Sequence, residues 1–305
     1  MSRHCYELQF EVENACYLNC MHCSSLEMRQ AEGRKYSDEE LISFLSVFQE
    51  NMHVYLTGGE PLLYTDILRL CNNISKIGND IRIGLFTTGN CMGGLPISKD
   101  LALAMKQSGI VDCYFSIYSE IEREHDEWTM LPGSFQNTLK SVEILRNVGI
   151  LPKAHLVLTS FNKNRIKSVV EFCYEIGLDE VRILKLTPSG KAIEYWNEIG
   201  IDLEEQNRII GELVKKKVEY PIHLTFSGYP NLHPCRPLPN SMKCQAGTHL
   251  LYIDLEGNVY PCACAKRFRE QFQICHITDT NEIRKYITEQ ESKEYNLNCI
   301  NEVHS

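Results

Sequence analysis

Several features that would take this chain outside the ordinary packed, water-borne proteins are missing. No apolar run is long enough to cross a bilayer, and the opening Met1-Ser2-Arg3-His4 has no signal-peptide core, so a cytoplasmic protein without a membrane partner is expected. Positive charge is short: 31 Lys and Arg face 40 Asp and Glu, for a net charge of −9. No dense basic cluster offers a track for phosphates, which argues against nucleic acid and favours a small molecule or a peptide as partner. Lys215-Lys216-Lys217 ends a predicted helix, where cations meet solvent and the helix dipole. Trp128 and Trp196 are read as packing residues. Low-complexity and repeat segments are absent beyond a strand–helix alternation.

What is present is a body of 305 residues, 43% apolar and 23% charged, enough for one large domain with or without a small appendage. It also holds 14 cysteines. In a reducing compartment these are a poor disulfide framework, and the clustered ones invite a metal. Cys16, Cys20 and Cys23 form one group; Cys235, Cys244, Cys262, Cys264, Cys275 and Cys299 crowd the last quarter. Cys5, Cys71, Cys91, Cys113 and Cys173 stand singly beside apolar residues and are expected to be small buried hydrophobes.

Short strand-like runs, "LQFEVE", "HVYLT", "IRIGLF", "VDCYFSIY", "AHLVLT" and "VRILKL", alternate with stretches of helical spacing at 38–49, 66–77, 99–107, 136–147, 163–175 and 203–218. Ser37 with Glu40, and Ser134, mark helix starts; Gly109, Gly149 and Gly177 stand where helices should stop. This order predicts an α/β fold, a parallel sheet covered by helices and closed or partly closed into a barrel over residues 1–220. Beyond Pro221 the texture turns to prolines, then to a hairpin in "HLLYIDLEGNVYPC" turning at Glu256-Gly257-Asn258. Residues 221–305 are expected to be a separate small region with a thin core, which a metal centre would help hold.

The stretch "CYLNCMHC" follows the first strand, at the carboxyl end where barrels build active sites. A closed structural zinc site wants four ligands, and no second pair lies nearby. Three cysteines from one loop suit a four-iron cluster with one iron left open. At this point the chain resembles the radical S-adenosylmethionine (radical SAM) superfamily, whose hallmark CxxxCxxC is matched by Cys16, Cys20 and Cys23. The resemblance implies a partial (β/α)6 TIM-type barrel. It also implies a 4Fe-4S cluster binding S-adenosylmethionine, whose one-electron cleavage yields a 5′-deoxyadenosyl radical. His22 takes the place where many members carry an aromatic near the adenine. "YLTGGEP" resembles the family's GGE segment, giving Gly58, Gly59, Glu60 and Pro61 as cofactor-binding candidates, with Glu60 near the methionine amino group. "LFTTGN" and "FSIYS" resemble superfamily strand ends and add Thr88, Asn90 and Ser116.

The segment "CQAGTHLLYIDLEGNVYPC" resembles the opening of SPASM and Twitch extensions, while the later four-cysteine run of a full SPASM domain is missing. This implies one auxiliary iron–sulfur cluster in a β-hairpin and helix extension, held by Cys235, Cys244, Cys262 and Cys299, with Cys264 and Cys275 competing for the fourth place. Cys264 left free would suit hydrogen-atom donation, as in radical peptide epimerases.

The extension together with "HDEWTMLPGSF" and "LTPSGKA" looks most like enzymes that modify ribosomally made peptides (RiPPs). A precursor peptide is thus the leading substrate, with epimerisation, a thioether or a carbon–carbon crosslink as outcome. A leader-binding protein would be a separate chain, and flavodoxin or ferredoxin would supply electrons. A second reading gives the same fold a small molecule such as a tetrapyrrole, nucleotide or sugar. A third is a non-catalytic metal-binding module.

Overall fold

A computed structural model describes residues 5–25, 33–48, 51–78, 80–228 and 245–290. Seven parallel strands run in chain order: β1 (Cys5–Glu13), β2 (Asn51–Gly58), β3 (Ile81–Thr87), β4 (Ile110–Ser116), β5 (Leu151–Leu158), β6 (Glu180–Lys185) and β7 (His223–Ser227). All six expected strands form. The seventh, β7, lies just past Pro221 and pairs with β6. Between them lie α1 (Asp38–Leu45), α2 (Ile67–Ile74), α3 (Lys99–Gln107), α4 (Glu122–Thr129), α5 (Ser134–Asn147), α6 (Ile166–Glu175), α7 (Trp196–Ile199) and α8 (Leu203–Lys216).

Local chemistry sets the helix limits. Ser37 and Glu40 close the capping box of α1, and Ser98 and Asp202 cap α3 and α8. Gly109, Gly149 and Gly177 each adopt positive φ just past a helix, the left-handed stop that glycine allows. Ser134 lies inside α5 instead of capping it, because Gly133 takes the cap position.

The strands alternate. In β1, Tyr6, Leu8, Phe10 and Val12 are buried in one apolar core with helix residues such as Leu41 and Phe44. Glu7, Gln9 and Glu11 take the opposite face. That inner face is polar: Arg182 of β6 donates to Glu7 of β1 at 2.8 Å, although four strands separate the two in sheet order. Only a strongly curled sheet brings these strands together, so the six-unit prediction of a partial barrel describes the fold.

The C-terminal segment continues the same sheet. β8 (Leu250–Ile253) pairs in parallel with the outer side of β1, β9 (Asn258–Tyr260) returns antiparallel, and β10 (Cys275–His276) adds to β9. The hairpin turns at Gly257, where φ is +87°. A three-ten helix (Ala263–Phe268), α9 (Arg269–Phe272) and α10 (Thr280–Gln290) follow. No helix among the described residues is long and apolar enough to cross a membrane.

Candidate functional site

The loop that carries Cys16, Cys20 and Cys23 leaves the carboxyl end of β1, at the barrel mouth. It is fixed from three sides. The backbone of Gly59 donates to Glu13 O (2.7 Å) and that of Glu60 to Ala15 O (2.8 Å). A Cβ at Gly58 would lie 2.2 Å from Glu13 O, and one at Gly59 2.2 Å from Ala15 O, so no side chain fits. The tail of α4 accepts Asn19 N–H at Thr129 O and Met21 N–H at Trp128 O. The turn after β6 donates Lys191 N–H to Cys23 O, with Gly190 packed too tightly on that carbonyl for a Cβ.

The three cysteines share one apolar cluster with Leu18, Tyr118, Trp128, Leu186 and Ala192. Cys20 is buried, while Cys16 and Cys23 are half-buried. The Tyr118 hydroxyl lies between Cys20 and Ser116, and burial, with the thiols alongside, pushes its pKa well up. His22 stacks on Trp128 at 5.4 Å and meets Tyr118 edge-on at 4.9 Å. Trp128 Nε1–H donates to His22 Nδ1 at 2.8 Å, which leaves the proton of a neutral ring on Nε2. Burial pulls this imidazole down to about 4, so it is uncharged at neutral pH.

These residues fit an iron–sulfur cluster better than a single ion. Among the described residues no group of three His, Cys, Asp or Glu side chains is gathered as one ion would need. The donor set is three soft sulfurs with no imidazole or carboxylate among them. A buried cation, Lys191, also lies against the loop without a carboxylate partner among the described residues, which suits negative charge at the cysteines.

The other candidates are differently placed. Glu60 is fully buried; its carboxylate accepts Thr87 Oγ1–H (2.7 Å), Thr88 N–H (2.7 Å), Thr88 Oγ1–H (2.7 Å) and Leu62 N–H (3.2 Å). Burial still raises its pKa above the ordinary carboxylate value. It ties the end of β2 to the end of β3, while Gly58 and Gly59 stay partly exposed and Pro61, buried, opens the next turn. Asn90 is likewise fully buried, its amide shared among Thr88 O, Thr138 Oγ1 and Asn137 Nδ2. Ser116 remains half-buried at the end of β4, next to Tyr118.

Cys262 and Cys264 sit at the start of the three-ten helix that approaches the barrel mouth, and Cys264 Sγ is 3.7 Å from Thr187 Oγ1, just beyond β6. Cys275 is buried in β10, its thiol pushed up to about 12 by burial. Cys235, Cys244 and Cys299 lie outside the described residues. Of the single cysteines, Cys71, Cys91, Cys113 and Cys173 are buried as expected, but Cys5 is exposed, because it begins β1 before the strand enters the core.

Glu11, at the top of β1, is fully buried and bonded by Lys266 Nζ (2.6 Å), Tyr252 OH and Leu255 N–H (3.1 Å). This pair seats the cysteine-bearing turn over the mouth. Between turn, hairpin and cysteine loop opens a cavity of about 550 Å³ reaching Ser24, Ser189 and Gly190. Trp128 was read only as a packing residue, and Tyr118 and Lys191 were given no place beside the loop. Trp128 stands 106 residues beyond His22, and only tertiary folding brings it near.

A family model described as the radical SAM superfamily matches residues 11–173, more than half of the chain. An AdoMet-dependent heme synthase of Oleidesulfovibrio alaskensis is 23% identical over 277 residues, 85% of this chain and 69% of that protein. The mycofactocin maturase MftC of Mycolicibacterium smegmatis is 25% identical, over 85% of this chain and 64% of its own. The crystal structure of Streptococcus suis SuiB bound to precursor peptide SuiA matches with a TM-score of 0.70 at 18% identity, over 93% of this chain and 65% of that one, a likeness of fold. This chain spans less than two thirds of MftC and of SuiB.

Proposed function

Since the chain belongs to the radical SAM superfamily, we propose that it uses S-adenosylmethionine to abstract hydrogen from a ribosomally made precursor peptide, ending in epimerisation, a thioether or a carbon–carbon crosslink. The observation that carries the peptide reading is the charge balance of the cavity at the barrel mouth. Among its described lining residues, Glu11, Asp254, Glu256 and Glu270 face Lys266, Arg267 and Arg269. Lys266 is already paired with Glu11, and Arg269 lies 3.8 Å from Asp254, so only Arg267 is left against two glutamates. A polyanion such as a nucleoside triphosphate or a carboxylated tetrapyrrole needs a cationic surplus; a peptide segment does not. The peptide partner in the SuiB structure and the maturase name of MftC lend the same reading support.

In this reading Cys16, Cys20 and Cys23 hold a 4Fe-4S cluster, which, when bound, supplies the electron that splits the cofactor. Gly58 and Gly59 present accessible backbone beside it, His22 and Trp128 form an aromatic wall, and Glu60 and Asn90 brace the floor. Residues 221–305 would carry one auxiliary cluster on Cys235, Cys244, Cys262 and Cys299. Cys264 would then be the hydrogen-atom donor: its S–H gives one hydrogen atom to the substrate carbon radical. The resulting thiyl radical returns to thiol with one electron from a ferredoxin or flavodoxin and one proton.

The test is anaerobic incubation of reduced enzyme with S-adenosylmethionine and the peptide encoded by a neighbouring short reading frame, in heavy water. One deuterium gained at unchanged connectivity marks epimerisation, and loss of two hydrogens marks a crosslink. Cys264→Ala should stop deuterium uptake while 5′-deoxyadenosine still forms. Cofactor cleavage with every such peptide unaltered, and turnover of a tetrapyrrole or nucleotide instead, would replace the peptide by a small molecule.

A further inference from the structure

Lys191 is 7% exposed, yet among the described residues it has no acidic partner. Its ammonium donates to Asn19 O at 2.8 Å, approaches the Met130 thioether at 3.2 Å and lies 5.4 Å from the centre of the Tyr195 ring. No carboxylate is within salt-bridge distance among the described residues, unlike Lys153, Lys163 and Lys266, each of which has one. A buried cation held only by neutral groups is costly, and proteins keep one where an anion belongs.

The geometry says where that anion would be. Asn19 is the residue before Cys20, and the Lys191 backbone N–H bonds to Cys23 O at 2.9 Å. Lys191 therefore grips the cysteine loop at two points, and its neighbour Ala192 belongs to the loop's own packing cluster. Three thiolates outweigh the charge of an oxidised four-iron core by one, and reduction adds one more negative charge. We propose that Lys191 is the counter-charge of this cluster, a positioning residue that fixes the loop and raises the cluster's reduction potential by favouring the reduced, more negative form. Met130, which holds φ at +56° to end α4, keeps its thioether on the same ammonium.

The test compares Lys191→Met, which removes the charge, with Lys191→Arg, which keeps it, in full-length protein reconstituted anaerobically with iron and sulfide. The reading is an electron-paramagnetic-resonance redox titration of the signal that is missing from a Cys16→Ala/Cys20→Ala/Cys23→Ala variant. Lys191→Met should move the midpoint to more negative potential, lowering the ratio of reduced to oxidised cluster at the wild-type midpoint by about tenfold, the size expected of a nearby unit charge in a partly buried site. Lys191→Arg should stay near wild type. If Lys191→Met lacks that signal while its far-ultraviolet circular dichroism stays native and Lys191→Arg shows it in full, the charge is required for assembly and the proposal stands. An unchanged midpoint in loaded Lys191→Met, or loss of loading in both variants, overturns it. Wild-type protein without a cluster on this loop would instead remove the cofactor reading on which the proposal rests.

Discussion

Both carboxylate oxygens of Glu60 are held by donors from Thr87, Thr88 and Leu62, with no water contact. Removing the carboxylate leaves those donors buried without acceptors, so Glu60→Ala should cost about 2–3 kcal/mol in urea unfolding of the apoprotein. Its pH signature has a defined sign. Burial raises the folded-state pKa above that of the unfolded chain, so the contribution to stability is full below the ordinary carboxylate value. It declines as pH rises through that value towards the folded one. Glu60→Gln lacks this titration, and the stability of wild type relative to Glu60→Gln should fall as pH rises above the ordinary carboxylate value. A constant difference would mean that folding leaves the Glu60 pKa where the unfolded chain has it. The GGE spacing marked this segment in the sequence, but not the task of its members. The glycines are required by a neighbouring backbone, and the glutamate by a neighbouring strand.

The three-ten helix bearing Cys262 and Cys264 is held at the barrel mouth by Lys266 and Glu11, 15% and 0% exposed. Lys266→Met strands Glu11 as a buried, unpaired charge and should cost about 3–5 kcal/mol. The double variant Glu11→Gln/Lys266→Met should recover much of that loss in the same denaturation assay, and a purely additive pair would show no coupling. This pair was invisible in the sequence because its partners are 255 residues apart. The elements themselves were more legible. Strands of five or more residues with alternating burial, and helices with clear caps, stood out; β7, although it alternates, was hidden in a proline-bearing stretch, and four-residue β8 was read only as half of a hairpin. Likewise the cysteine triplet is local in sequence and was readable, whereas Tyr118, Trp128 and Lys191 reach it from three other segments.

Over the whole molecule, one sheet runs from β10 to β7, and β1 lies within it, flanked by β2 and β8. Deleting residues after 228 would uncover the β8-facing side of β1, with Leu251 and Ile253 gone from the core. Such a fragment should self-associate through the open edge, seen as high-mass species in size-exclusion chromatography, where the full chain elutes at a defined size. A fragment that stays at a defined size would show that β8 is dispensable for covering that edge.

The same pairing sets an order on synthesis. β1 obtains its second neighbour only after Ile253 has been made. Throughout translation of the barrel, the cysteine loop therefore rides on a strand braced on one side alone. A metal-loading partner acting before chain release would meet a looser cradle than one acting afterwards.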